Sequence, residues 1–126
     1  SLPPGLDQKL PNLQMLYLGN NKLTGVILDS ISNATVLDTL ELGNNQFTGS
    51  IPTSLGNLRF LETLGLDRNY FTSNSPAELS FLSSLTNCRG LKTLSMSLNP
   101  LKGTLPSTIG NFSSLLTFFF ASICEI

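Results

Sequence analysis

Residues 37–58 read LDTLELGNNQFTGSIPTSLGNL, and the spacing of their leucines decides the fold. The spacing defines a template of three apolar positions, one asparagine and one more apolar position: Leu37, Leu40, Leu42, Asn45 and Phe47. The same template occurs in four successive copies, which begin at Leu13, Leu37, Leu61 and Leu91. A pattern that returns at a period of 24 residues indicates a stacked repeat rather than a single irregular core.

Each template predicts a short strand that ends in a turn. Leu40 and Leu42 point to the same side of such a strand because side chains alternate with a period of two. The asparagine that follows is expected to be buried, where its amide can donate to and accept from backbone groups of neighbouring coils. We therefore predict a ladder of structural asparagines, one per coil: Asn21, Asn45, Asn69 and Asn99.

The segment after each strand predicts a return on the opposite side of the coil. Gly49 allows a bend and Pro52 fixes the direction of the chain that follows it. The stretch around Leu55 is too short for a long helix and is interpreted as one or two helical turns. Because one coil alone cannot bury its apolar face, neighbouring coils must share their stability.

The stretch from Leu37 through Gly49-x-Ile51-Pro52 to Leu58 resembles the plant-type leucine-rich repeat. The resemblance implies one α/β domain over residues 1–126, a right-handed leucine-rich-repeat solenoid. A parallel sheet would form its concave face, and short helices or 3-10 turns would form its convex face. The expected units are the tail of a repeat, four repeats and a partial repeat: 1–12, 13–36, 37–60, 61–90, 91–115 and 116–126.

The third copy is 30 residues long and lacks the Ile-Pro element. Ser75, Pro76 and Glu78 have the composition of a helix start, and apolar residues then recur at every third position. We predict a longer outer helix over residues 76–86, with a loop as the alternative. The sequence of residues 82–88 is similar to a segment of the plant immune receptor-kinase subfamily, whose members include receptors for flagellin and elongation factor.

The last copy requires a choice of register. A shift of one residue aligns Phe119 with Leu94 and puts Cys124, rather than Ile123, at the asparagine position, where cysteine is a known substitute. We favour this register and add Cys124 to the structural ladder. Cys88 and Cys124 are both interpreted as small buried apolar residues without a disulfide between them.

Positions that alternate with the core leucines are expected to face the concave side. Solenoids use such extended surfaces to bind proteins and peptides. We predict these ligand-binding residues: Tyr17, Thr39, Glu41, Thr63, Asp67, Thr93 and Ser95. Tyr17, Glu41 and Asp67 are the strongest candidates, because each can both pack and form polar contacts. The competing interpretation is that most of these positions are simply solvated.

Two glycosylation sequons occur at equivalent positions of different coils, Asn33-Ala34-Thr35 and Asn111-Phe112-Ser113. If the protein is secreted, glycans at Asn33 and Asn111 would project from the outer face. The alternative is that asparagine serves the turn and Ser or Thr follows by composition.

Composition excludes several functions. The chain has no histidine, only two cysteines and a formal net charge of −1, so imidazole-based catalysis and common zinc sites are not expected. No cofactor, metal site or catalytic residue is predicted. Clustered basic residues for nucleic acid are lacking, and no apolar stretch reaches the roughly 20 residues that span a bilayer. With no initiator methionine and no signal peptide, the chain is interpreted as an internal fragment.

The resemblance implies a non-catalytic recognition segment of the extracellular part of a plant leucine-rich-repeat receptor-like kinase, in defence or developmental signalling. A single-pass parent at the plasma membrane would bind a protein or peptide ligand and a co-receptor, and its Ser/Thr kinase would lie outside this chain. The alternatives are a kinase-less receptor-like protein and a secreted inhibitor of a microbial cell-wall enzyme. An intracellular immune sensor is a third possibility.

Overall fold

The computed structural model describes residues 10–27, 29–72, 80–100 and 118–120. The strands along this part of the chain are β1 (Met15–Tyr17), β2 (Thr24–Gly25), β3 (Thr39–Glu41), β4 (Gln46–Gly49), β5 (Thr63–Gly65), β6 (Tyr70–Phe71), β7 (Thr93–Ser95) and β8 (Phe118–Phe120). The helical elements described are the 3-10 helices Leu10–Asn12, Asp29–Asn33 and Thr53–Asn57 and the α-helix α1 (Ser80–Leu85).

The main sheet is parallel, with the strand order β1-β3-β5-β7-β8. Leu40 of β3 pairs with Leu16 on one side and with Leu64 on the other, and Leu64 pairs in turn with Leu94. Equivalent leucines of successive coils therefore stack in single file, so the predicted solenoid of parallel strands is confirmed. The register also shows that the six extra residues of the third copy lie outside its strand.

The last strand pairs Leu94 with Phe119. This is the shifted register predicted from the sequence. Cys124, residues 1–9 of the predicted tail 1–12 and most of the residues assigned to the last partial repeat lie outside the described residues.

The apolar core runs continuously through the coils, beneath the main sheet. Leu40, Leu64 and Leu94 are completely buried. Phe47 and Phe71, which occupy the last template position of adjacent coils, stack with ring centroids 6.2 Å apart and planes inclined by 6°. Stacked identical positions let each coil cover the apolar side of its neighbour, which is the source of stability in a solenoid.

The convex side carries the short helices. The 3-10 helices Asp29–Asn33 and Thr53–Asn57 agree with the predicted helical turns. Of the helix predicted over 76–86, the described part forms α1, and residues 73–79 lie outside the described residues. Leu82, Leu85 and Cys88 are buried as the three-residue spacing requires.

A second sheet was not predicted. Strands β2, β4 and β6 form a three-stranded parallel sheet directly after the turn of each coil. Its signal in the sequence is the recurring segment Phe47-Thr48-Gly49, since aromatic and β-branched residues favour strands. Gly25 and Gly49 end these strands with φ of 93° and 81°, a backbone conformation that favours glycine.

Candidate ligand-binding face

The concave face consists of outward-facing residues in three rows across the main sheet. The first row is Met15, Thr39, Thr63 and Thr93. The second row is Tyr17, Glu41, Gly65 and Ser95. The third row follows the strands and contains Gly19, Gly43, Asp67 and Ser97. The fold thus brings the predicted ligand-binding residues onto one continuous surface.

Tyr17 is the most prominent of the predicted residues on this face. Its side chain is 64% exposed, and the neighbouring Met15 is 53% exposed. The Tyr17 hydroxyl lies 3.8 Å from the Met15 sulfur, to which it donates. Together the two residues present an aromatic and thioether surface at one end of the described sheet, of the kind that anchors protein interfaces.

Thr39 is less available than the sequence suggests. Only 9% of it is exposed, and its hydroxyl donates to Oδ1 of Asp38 at 2.8 Å. Its neighbours in the row are Met15 and Thr63, which pair with it in register on the adjacent strands and therefore lie beside it. Thr63, Thr93 and Ser95 remain half-buried and so retain accessible surface.

Two glycines make room for the carboxylates of Glu41 and Asp67. The Glu41 carboxylate lies over Gly65 in the space that a Cβ would fill, and its Oε1 accepts a hydrogen bond from the Gly43 N–H at 3.0 Å. Asp67 Oδ1 lies 2.7 Å from the position of a Cβ on Gly43. Glycine in or next to a strand is the sequence signal for such close approach.

The asparagine ladder links the coils. Asn69 donates from Nδ2 to the Leu42 carbonyl of the preceding coil at 2.9 Å, and its Oδ1 accepts from the Phe47 N–H at 3.1 Å. Asn45 and Asn99 make the equivalent contacts to their own preceding coils. Asn21 is exposed and donates to Leu18 and Gly19 of its own coil.

Asn33, the first sequon asparagine, is exposed at the end of its 3-10 helix, and Asn57 is exposed at the equivalent position of the next coil. Asn111 lies outside the described residues. Accessibility at Asn33 is therefore compatible with modification.

Cys88 is buried and its thiol donates to the Leu58 carbonyl at 3.2 Å. Burial disfavours the thiolate and raises the pKa of Cys88 from 9.0 to about 11.

Among the residues that the structure describes, no cluster of three potential metal-ligating side chains occurs. The same part of the chain contains no helix long and apolar enough to cross a bilayer.

These features define a repeat solenoid with a continuous parallel sheet, an architecture that recognition modules use. Leucine-rich-repeat family models match residues 1–47 and 90–112, together more than half of the chain. The chain belongs to the leucine-rich-repeat family, and it is a plant-type segment whose fold is that of a non-catalytic recognition module. No curated protein sequence matches it.

Several solved plant structures share the fold. The peptide hormone receptor RGFR1, in complex with RGF2, is 36% identical with a TM-score of 0.82 over 94% of this chain. The Arabidopsis receptor kinase HAESA, in complex with the peptide hormone IDA, is 32% identical with a TM-score of 0.77 over the whole chain. A plant ice-binding protein is 27% identical with a TM-score of 0.83 over 98% of the chain.

The chain spans 18% of the RGFR1 chain, 20% of the HAESA ectodomain and 38% of the ice-binding protein. The ectodomains of such receptor kinases are extracellular. The ice-binding relative shows that the fold by itself does not define one ligand.

Proposed function

We propose that this chain is a peptide-recognition segment of the extracellular domain of a plant leucine-rich-repeat receptor kinase. The observation that carries the proposal is the continuous parallel sheet, whose outward rows offer exposed and half-buried side chains across successive coils. An extended peptide crossing the strands could contact several coils at once. The two similar receptors in complex with peptide hormones support this class of ligand.

Tyr17, Glu41 and Asp67 are the proposed principal contacts. Tyr17 supplies a large apolar surface with one polar end, a combination that is common among dominant interface residues. Glu41 and Asp67 are half-buried and held against glycines, so little side-chain entropy remains to be lost when a ligand binds. Thr63, Thr93 and Ser95 would add hydrogen bonds, while Thr39 would contribute little because it is buried.

A displayed library of random peptides, screened against the full chain, tests this proposal. Peptides that bind should lose at least about tenfold in affinity when Tyr17→Ala is introduced, since aromatic anchors of this type contribute heavily to binding. Tyr70→Ala is the matched control, because Tyr70 is 58% exposed but belongs to β6 of the second sheet. Glu62→Gln is the corresponding control for Asp67→Asn. Glu62 is the residue just before β5, and its carboxylate pairs with Lys92.

The proposal fails if the selected peptides bind equally well to the Tyr17→Ala and Asp67→Asn variants. It also fails if the controls lower affinity as much as the concave-face variants, because the attraction would then be general. Circular dichroism of each variant separates loss of binding from loss of folding.

The proposed setting is a single-pass receptor at the plasma membrane, with a co-receptor joining after ligand binding, in defence or developmental signalling. A longer reading frame distinguishes this setting from a kinase-less receptor and from a secreted inhibitor. A membrane-spanning segment followed by a kinase supports the receptor kinase. A span without a kinase indicates a kinase-less receptor, and a short capped end without a span indicates a secreted inhibitor.

Glycosylation of Asn33 and Asn111 belongs to the same proposal. Expression through a plant secretory pathway should add glycan mass that peptide mapping locates at Asn33, and Asn33→Gln should remove it. Asn57→Gln is the control, because Asn57 occupies the equivalent exposed position without a sequon. Unmodified Asn33 after secretion would contradict the proposal for that site.

A further inference from the structure

A polar cleft lies away from the concave face, between the carboxyl ends of two helical segments. It has a volume of about 460 Å³ and is lined by Gly56, Asn57, Arg59, Asn87 and Arg89. Asn57 ends the 3-10 helix Thr53–Asn57, and Asn87 follows α1 by two residues. The two asparagines and the two arginines therefore come from equivalent positions of adjacent coils.

The packing between these coils fixes the base of the cleft. Gly56 is buried, and a Cβ at this position would overlap the Ser84 carbonyl, so the two backbones lie in close contact. The Cys88 thiol donates to the Leu58 carbonyl at 3.2 Å and joins the same two coils. Arg59 directly follows Leu58, and Arg89 directly follows Cys88. The contact between Leu58 and Cys88 therefore holds the backbones of the two arginines side by side.

No carboxylate of the described residues pairs with the two arginines of the cleft. Elsewhere in the part of the chain that the structure describes, ion pairs join Arg68 to Asp67 and Lys92 to Glu62, and in that part neither Arg59 nor Arg89 has a carboxylate partner. The carboxylates with described side chains belong to residues in or beside the strands of the main sheet: Asp38, Glu41, Glu62 and Asp67. Two cations sharing one cleft repel each other, and an anion between them would relieve that repulsion.

The donors in the cleft match one ligand chemistry. A guanidinium presents several N–H donors in a planar fork that binds phosphate and similar oxyanions in bidentate geometry. The amides of Asn57 and Asn87 can add neutral N–H donors at the rim. We propose that this cleft binds a sulfate or phosphate group carried by a ligand or a modified partner. The site is independent of peptide binding on the concave face, because none of its residues belongs to that surface.

Titration of the full chain with sodium sulfate and with sodium phosphate, at constant ionic strength against sodium chloride, tests the site. Binding should be saturable and should shift the backbone amide resonances of Asn57, Arg59, Asn87 and Arg89. Arg59→Gln and Arg89→Gln should each weaken binding about tenfold or more, because each removes a charge-assisted hydrogen bond. Lys22→Gln is the control, since it removes one exposed positive charge elsewhere.

Arg59→Lys tests the guanidinium fork itself. It should bind more weakly than the native chain, although it keeps the charge. O-sulfotyrosine and O-phosphotyrosine then distinguish the two sources of the group, and tighter binding of one identifies the preferred ester. The proposal is overturned if chloride gives the same resonance shifts, or if Lys22→Gln weakens binding as much as Arg59→Gln. Since both arginines are exposed, these variants should fold, and circular dichroism verifies that they do.

Discussion

One residue in each described coil, just before the ladder asparagine, adopts a left-handed backbone. These residues are Asn20, Asn44, Arg68 and Leu98, with φ between 56° and 61°. Asparagine tolerates this conformation, whereas leucine does so at a cost of roughly 1 kcal/mol. Leu98 is also 60% exposed, so its side chain gains little from packing. Leu98→Asn should therefore stabilise the chain by about 0.5–1 kcal/mol, measured by urea unfolding.

Leu98→Ala is the control for this prediction. Alanine removes the exposed apolar side chain but keeps the unfavourable left-handed backbone, so it should not stabilise the chain to the same extent. Equal stabilisation by both substitutions would show that the backbone conformation is not the cause.

Because of Cys88, the free energy of unfolding should fall as the pH becomes alkaline. Its pKa of about 11 in the fold, against an ordinary value of 9.0, means that the folded chain holds the thiol proton more tightly than the unfolded chain. This contribution is complete below about pH 9 and is lost as pH rises through about 11, at about 1.4 kcal/mol per pH unit. The free energy of unfolding of Cys88→Ala should lack this slope, so the difference in stability between the native chain and the variant should change by about 1.4 kcal/mol per pH unit between about pH 9 and 11. Parallel curves for the two proteins between these pH values would contradict the prediction.

At the scale of elements, the contact between the 3-10 helix Thr53–Asn57 and α1 depends on one missing side chain. Because a Cβ on Gly56 would overlap the backbone carbonyl of Ser84, Gly56→Ala must separate the two coils. We expect a loss of about 1–3 kcal/mol in the free energy of unfolding. Gly90→Ala is the matched control, since a Cβ there has no neighbour within 4 Å, and it should be neutral or slightly stabilising. Equal effects would disprove the proposed overlap.

The main sheet was predictable from sequence because its signal repeats. Leu40, Leu64 and Leu94 occupy the same template position, and a spacing of two residues within a strand leaves one choice of buried side. The second sheet was missed because none of its strands has more than one buried residue, whereas the template of the main sheet places two apolar residues, such as Leu40 and Leu42, on the buried side. The left-handed backbone of Leu98 was also missed, because leucine is not a residue type that indicates this conformation.

At the scale of the whole molecule, the sequence predicts which positions lie on the proposed binding face. It does not predict how deeply each side chain on that face is buried. Burial of Thr39 and the seating of Glu41 over Gly65 depend on which residues of other coils lie alongside. The template aligns these positions, whereas the side-chain arrangement follows from packing. The arginine cleft was missed because Arg59 and Arg89 lie 30 residues apart, across the lengthened coil, where the regular period is broken.

The asparagine ladder couples adjacent coils, so the loss of one ladder asparagine should destabilise the neighbouring coil as well as its own. Asn69 is 4% exposed and bonds to Leu42 and Phe47 of the preceding coil as well as to its own. Asn69→Ala leaves these buried groups unpaired and should cost about 3 kcal/mol or more. In hydrogen exchange, the Phe47 amide should lose protection together with strand amides of both coils, since each coil is stabilised only by its neighbours. Asn21→Ala, which removes exposed bonds within one coil, should cost less than about 1 kcal/mol and leave Phe47 protected. Loss of protection confined to residues 66–71 in Asn69→Ala would show that the coils unfold independently.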